Sequence, residues 1–180
     1  MKISNVSKSL ALVTPLASGV LGKAEAAAYL KIGDIKGESQ VAGFEGYIKI
    51  GFFKVEIDGV GARGDESKIQ FKDPRIQFPV EQASPSLMLA CATGERIPSA
   101  TLVLTKPTDE GGREVAYYKI TMTDVLVSSY STGLAQGESV PSENISLNFA
   151  KIEWTYSKLA RNGEIEGRTS TGTISVPREP

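Results

Sequence analysis

The sequence contains no histidine. That single absence removes Ser-His-Asp triads, histidine general bases and histidine metal ligands together. There is one cysteine, Cys91, which excludes an internal disulfide and a Cys-rich zinc site. Set in the apolar run LMLACATG, with no histidine to activate it, Cys91 reads as an inert buried side chain rather than a nucleophile. Charge of one sign is not in excess either. The formal net charge is -1 and no Lys/Arg cluster stands out, so neither nucleic acid nor an acidic membrane surface is an expected partner. No hydrophobic run has the length and continuity of a transmembrane span, so no stable membrane insertion is expected.

Motifs of catalysis are missing as well. There is no GxGxxG, Walker loop, HExxH, GxSxG or CxxC. The carboxylate pairs Asp34 with Glu38 and Asp109 with Glu110 lie in polar loops, where solvated charge is the default. Ser128, Ser129 and Ser139 have no identifiable base partner. No catalytic, cofactor-binding or metal-ligating residue is therefore assigned, no cofactor is expected, and the chain does not read as an enzyme. Arg63-Gly64-Asp65 spells an adhesion tripeptide, but three residues in a glycine-rich loop arise easily by chance.

What is present is an ordinary globular composition, 41% hydrophobic and 23% charged over 180 residues, enough for one domain with a sound core. Residues 1–27 form a distinct leader. Lys2 and Lys8 give it a basic start, residues 10–21 are mostly apolar, and Ala24-Glu25-Ala26 resembles a cleavage site. Pro15 and Gly19 interrupt the apolar part. Two readings stand open: an export signal, or an uncleaved N-terminal extension. Residues 28–158 are expected to be the β domain, and residues 159–180 a polar tail with a weak edge strand at 171–176.

Within the β domain, residues 29–32 read as a short strand closed by Gly33-Asp34, followed by a polar, glycine-bearing loop. Residues 45–57 are rich in β-branched and aromatic side chains and apolar on both faces, which predicts burial on two sides, by a further layer or a neighbouring subunit. Lys72-Asp73-Pro74 is expected to break the next strand before Ile76, Phe78 and Val80 resume it. One helix is expected within 81–94, with Ser84 as cap, Pro85 at its first position, Leu87, Leu89 and Ala90 facing the core, and Gly94 as its stop. Strands at 100–106 and 115–122 flank a PTDEGG turn and predict a hairpin. Ile145, Leu147 and Phe149 share one parity, whereas Ile152, Trp154 and Tyr156 share the other, so the apolar face changes phase near Ala150-Lys151. The tyrosines 117, 118, 130 and 156 and Trp154 are expected in cores or subunit interfaces rather than as a stacking surface. The fold class that follows is mostly β, an antiparallel barrel or sandwich with one short α-helix.

Five ordered blocks carry a family resemblance: YLKIGDIKGES at 29–39, ASPSLMLACATG at 83–94, IPSATLVLTK at 97–106, YYKITMTDVLVSSYSTG at 117–133 and ESVPSENISLNFAKIEWTY at 138–156. Together they resemble the Hcp (haemolysin-coregulated protein) family, the inner-tube subunit of the bacterial type VI secretion system. The resemblance implies a two-sheet β-barrel with one helix beside it, similar in fold to contractile-phage tail-tube proteins. It also implies a homo-hexamer ring, rings stacked into a tube, a contractile sheath, a spike protein at the tip and small effectors in the lumen. Assembly would be cytoplasmic and delivery extracellular, with the leader leaving periplasmic export open. A phage tail-tube protein and an exported β-rich binding module are the alternative readings. Subunit contacts are expected in exposed loops at Ile35, Lys36, Gly37, Glu38 and Ser39, at Ser128, Ser129 and Tyr130, and at Glu138 and Glu143.

Overall fold

A computed structural model describes residues 26–58, 70–108 and 113–176. Residues 1–25 of the leader, the Arg63-Gly64-Asp65 tripeptide and Asp109 with Glu110 lie outside the described residues, and Ala27 of the expected leader already belongs to β1. The elements run β1 (Ala27–Ile32), β2 (Ile48–Ile50), β3 (Phe52–Asp58), β4 (Gln70–Pro79), α1 (Ser84–Thr93), β5 (Arg96–Pro107), β6 (Glu114–Gly133), β7 (Ser142–Asn148), β8 (Lys151–Tyr156) and β9 (Ser170–Ser175).

These strands form a single nine-stranded antiparallel sheet ordered β2-β1-β5-β6-β7-β4-β3, with β8 beside β6 and β9 beside β8. The expected pair of sheets is thus one sheet that curls, and its hydrogen-bonded path is open between β2 and β3. Those two end strands are consecutive in the chain, parted only by Gly51, whose N–H bonds the Gln77 carbonyl of β4 at 2.9 Å. Ile48 to Ile50 pairs with β1, and Phe52 onward pairs with β4. The covalent chain therefore spans the gap that the ladder leaves.

Gly51 also corrects the expectation for residues 45–57. Ile48 and Ile50 point into the core, and beyond the glycine it is Phe53 and Val55 that pack against that core. From Ile48 to Val55 the apolar pattern on two faces is one inward face that switches parity at a corner, while Tyr47 packs on the other face beside Phe44, the further layer expected there. Phe52, 54% exposed, and Ile57, 44% exposed, stay apolar and outward there.

The same device recurs at a second level. β7 and β8 lie along one side of β6, β7 opposite residues 126–133 and β8 opposite 118–123. The phase change expected near Ala150 is a break between them, with Ala150 N–H bonded to the Thr123 carbonyl at 3.0 Å. Facing it, β6 changes phase too: Ile120 and Met122 are buried, then Val125 and Val127, with Asp124 between them at φ 54°. A non-glycine residue at positive φ is uncommon, and aspartate tolerates it better than most. Arg96 holds the Asp124 carboxylate at 3.0 Å. Both strands thus bend together, which lets a long sheet wrap a small core.

Two further expectations are corrected. β4 runs unbroken through Pro74. Opposite Val55 of β3 stand both Asp73 and Pro74, so the proline sits in a bulge where no ladder N–H is needed, and the pairing of β4 with β7 begins only at Arg75. Helix α1 stops where expected, with Gly94 left-handed at φ 68° and its N–H bonded to the Ala90 carbonyl, but it starts at Ser84, which makes Pro85 its second residue rather than its first. Leu87 and Ala90 are buried, but Leu89 is 61% exposed, and Met88 beside it is also exposed. Ser84 does not cap; the N-cap is Ala83 and Ser84 turns its side chain inward. The β5–β6 hairpin and the edge strand β9 are as expected.

The core packs Leu30, Ile32, Phe78, Leu87, Leu102, Ile120, Ile145 and Leu147. A smaller second cluster forms on the other face of β1, where Tyr29 stacks on Phe44 (ring centroids 4.8 Å apart, planes 4° from parallel) over Val103. The polar loop between β1 and β2 is therefore a folded cover. It buries the outward face of β1, and both Tyr29 and Leu30 are fully buried.

Candidate functional site: a braced loop over the entry to the helix

The loop of residues 33–47 is held by its own backbone. Gly37 N–H bonds the Gly46 carbonyl (2.8 Å), Gly46 N–H the Ser39 carbonyl (2.9 Å) and Ser39 N–H the Tyr47 carbonyl (3.0 Å). Gly37 is required sterically, since a Cβ there would lie 2.4 Å from the Tyr47 carbonyl oxygen. Across from it, residues 80–83 lead from β4 into α1. The two segments brace each other. Glu38 N–H donates to Glu81 Oε2 (3.1 Å), and Gln82 N–H donates back to Glu38 Oε1 (3.0 Å). The Gln82 side-chain amide donates to the Gly37 carbonyl.

Beneath this brace sits Glu143 of β7, only 1% exposed. Ser84 Oγ donates to its Oε2 at 2.8 Å, and the Tyr130 hydroxyl donates to its Oε1. Glu81 N–H in turn donates to Ser84 Oγ at 2.9 Å. Burial pushes the Tyr130 phenol up to about 12, and the adjoining Glu143 carboxylate pushes the same way. Burial also raises Glu81, whose Oε1 is buried without a hydrogen bond. Backbone N–H groups of Glu38 and Ala83 favour its ionised form, while the Glu38 and Glu143 carboxylates oppose it.

The residues singled out from the sequence thus divide. Glu38, Tyr130 and Glu143 come together in one network, joined by Glu81, Gln82 and Ser84, which sequence reasoning did not select. Glu81 and Gln82 sit beside a helix start, and that position was the available signal. Gly37, Ser39 and Glu143 are buried within the subunit, which corrects the expectation that they lie exposed. Ile35 is half-buried, and Lys36 and Glu38 remain at the surface. Ser128, Ser129 and Tyr130 belong to strand β6 rather than to a loop, and Glu143 lies within β7. Ser128 bonds Asp73, whose other oxygen takes Asn148 Nδ2 at 3.1 Å, on a polar face away from the brace. Glu138 is exposed in the β6–β7 connection, between the exposed apolar side chains Leu134 and Val140.

Cys91 is free and half-buried against the core. Trp154 packs on the core, while Tyr156, exposed, meets Tyr117 edge-on. Among the described residues no group of three or more acidic or cysteine side chains is arranged to hold a metal ion, and no helix is long and apolar enough to cross a membrane.

The curled antiparallel sheet with its single short helix defines a mostly β fold. Residues 29–156 match the family described as "Type VI secretion system effector, Hcp", and the chain belongs to that family. It is 33% identical over 144 residues to "Protein hcp1" of Pseudomonas aeruginosa, an alignment covering 77% of this chain and 88% of that protein. Its fold is similar to a solved structure described as a type six secretion system protein, with TM-score 0.74, 23% identity, and coverage of 84% of this chain and 96% of the other. It is similar also to Hcp1 from Salmonella typhimurium, with TM-score 0.65, 24% identity, and coverage of 83% and 94%. Membership makes this chain a type VI secretion protein of the tube-forming, secreted class.

Proposed function

We propose that six copies of this chain close into a ring, that rings stack into the inner tube of a type VI secretion system, and that the tube carries small effectors. Residues 28–158 form the ring-building body, and residues 159–180 add β9 at its edge. The tube assembles in the cytoplasm inside a contractile sheath, is tipped by a spike protein and is delivered out of the cell. The part played is structural: rigid, repeated contacts rather than bond-breaking. The observation that carries this reading is that the family match extends over the barrel from Tyr29 in β1 to Tyr156 in β8. Phe52, Leu89 and Leu134, large apolar side chains left outward on a single copy, support it, because a repeating head-to-tail interface needs such surfaces.

Negative-stain microscopy and sedimentation of the purified 19.2 kDa chain test it. Six-membered rings are expected, and a protein that stays monomeric at high concentration overturns the proposal. Deleting the gene is expected to abolish effector release. At Glu38, a contact on the exposed part of the loop predicts that Glu38→Arg impairs ring closure or stacking; wild-type tubes from that variant would remove Glu38 from the interface.

A further inference from the structure

The brace between the two loops is built from like charges. Glu38 comes from the β1–β2 loop, Glu81 from the β4–α1 connection and Glu143 from β7, with Tyr130 of β6 behind it. Among the described residues, no lysine or arginine forms an ion pair with any of the three carboxylates. Glu143 receives two hydroxyl donors. Glu81 accepts the Glu38 N–H on Oε2, the nearby Ala83 N–H also favours its charge, and its buried Oε1 makes no hydrogen bond of good geometry. A buried oxygen in that position is costly when charged and far less so when protonated. We propose that Glu81 is a proton-operated latch, closed when neutral and loosened when ionised, which sets how firmly the loop of residues 35–47 is held against the entry to α1.

The forces on Glu81 oppose one another. The Glu38 and Ala83 backbone N–H groups near the start of α1 favour the carboxylate. Burial together with the Glu38 and Glu143 charges disfavours it, and the net direction is upward from the ordinary 4.5. A group whose folded pKa lies above its unfolded value contributes stability that is complete below the unfolded pKa. That contribution is lost as pH rises through the folded pKa. The brace is therefore tighter on the acid side of Glu81's titration and looser above it. The bonds from Glu38 N–H to Glu81 Oε2 and from Gln82 N–H to Glu38 Oε1 need no proton from Glu81, so the loop slackens without detaching. This deepens the ring proposal, since the loop carries Lys36 and Glu38, two of its expected contacts. The latch itself is a property of the single chain.

Carbon-13 NMR titration of Glu81, read with amide exchange of residues 35–47 corrected for intrinsic rate, tests the latch directly. Expected are a Glu81 pKa above the ordinary carboxylate value and a fall in loop protection across the same pH range. Linkage requires that fall to match the ratio of the folded and unfolded acid constants. Glu81→Gln keeps an oxygen for the Glu38 N–H but carries no charge. It is expected to hold the loop at all pH values as firmly as the acidic wild type does. Glu38→Gln is expected to move the Glu81 titration back toward 4.5. Glu81 titrating at or below 4.5, or loop protection identical in wild type and Glu81→Gln throughout, overturns the latch. Absence of rings at every pH would count against the ring proposal instead, leaving these readouts to decide the latch alone.

Discussion

Glu143 is a carboxylate inside the subunit that relies on neutral donors. Ser84 and Tyr130 satisfy one oxygen each. Removing one partner of a buried pair costs more than the bond itself was worth, because the other is left desolvated and unpaired. Tyr130→Phe deletes a single oxygen and no packing. It is expected to lower stability by about 1–3 kcal/mol, read as a fall in denaturant midpoint with an unchanged slope. The same hydroxyl predicts an alkaline signature. Its pKa is raised from 10.0 to about 12, so its contribution is complete below pH 10 and disappears as pH climbs toward 12. Wild type is expected to lose stability more steeply across that interval than Tyr130→Phe. Equal slopes would mean that the phenol does not titrate against Glu143. The variant is the necessary control, because Tyr29 and Tyr118 are also raised by burial.

At the scale of elements, helix α1 divides its leucines between core and surface. Leu87 is fully buried and Leu89 is not. Leu87→Ala is expected to cost about 2–5 kcal/mol through lost burial and the cavity left behind. Leu89→Ala is expected to change stability by no more than about 0.5 kcal/mol, as for an ordinary surface site. Thermal or denaturant unfolding of the two variants checks the contrast, and comparable losses would place Leu89 in the core after all. The braced loop makes a different demand. At Gly37 a methyl group would run into backbone atoms of Tyr47 and Ile48, which cannot rotate aside. Gly37→Ala is expected to lower stability by about 1–3 kcal/mol. It should also loosen the Tyr29–Phe44 stack beneath, seen as a changed near-ultraviolet circular dichroism signal. An unaltered melting temperature would show that the loop shifts without cost.

On the scale of the whole molecule, the decisive feature is how a single sheet returns on itself. Three phase changes, at Gly51, at Asp124 and between Asn148 and Lys151, turn strands at corners and keep one face inward throughout. A strand that kept its parity across any of these points would carry its apolar residues to the outside. The consequence for assembly is that little apolar surface is left over in large patches. Phe52, Met88, Leu89, Leu134, Val140 and Tyr156 are dispersed over several elements. A ring closed through such residues buries a few anchors inside polar surroundings, the pattern in which a handful of side chains carries most of the association energy. Phe52→Asp is accordingly expected to leave the monomer folded and to weaken ring formation, with sedimentation at graded concentrations as the check. Rings of wild-type strength from that variant would remove β3 from the interface.

The sequence by itself determined the class. Apolar alternation with period two, the Pro85 start and Gly94 stop of the helix, and the hairpin between β5 and β6 are local signals, and local physics enforces them. The parity switch at Ala150 was legible for the same reason, and the one at Asp124 was written equally plainly in ITMTDVLV. The ordered blocks from Tyr29 to Tyr156 sufficed to point to the family. Tertiary structure decided what local pattern leaves ambiguous. Residues 45–57 look apolar on two faces, and only the exchange of partner from β1 to β4 at Gly51 shows that one core receives Ile48 and Ile50 from before the glycine and Phe53 and Val55 from after it. Pro74 reads as a break, and only the unequal spacing across β3 and β4 turns it into a bulge. Glu38, Glu81 and Glu143 are more than 40 residues apart from one another in sequence, and no periodicity brings them together. Their meeting depends on long-range strand pairing and on a loop folding back over β1, so burial and hydrogen bonds across the brace were properties of the fold alone.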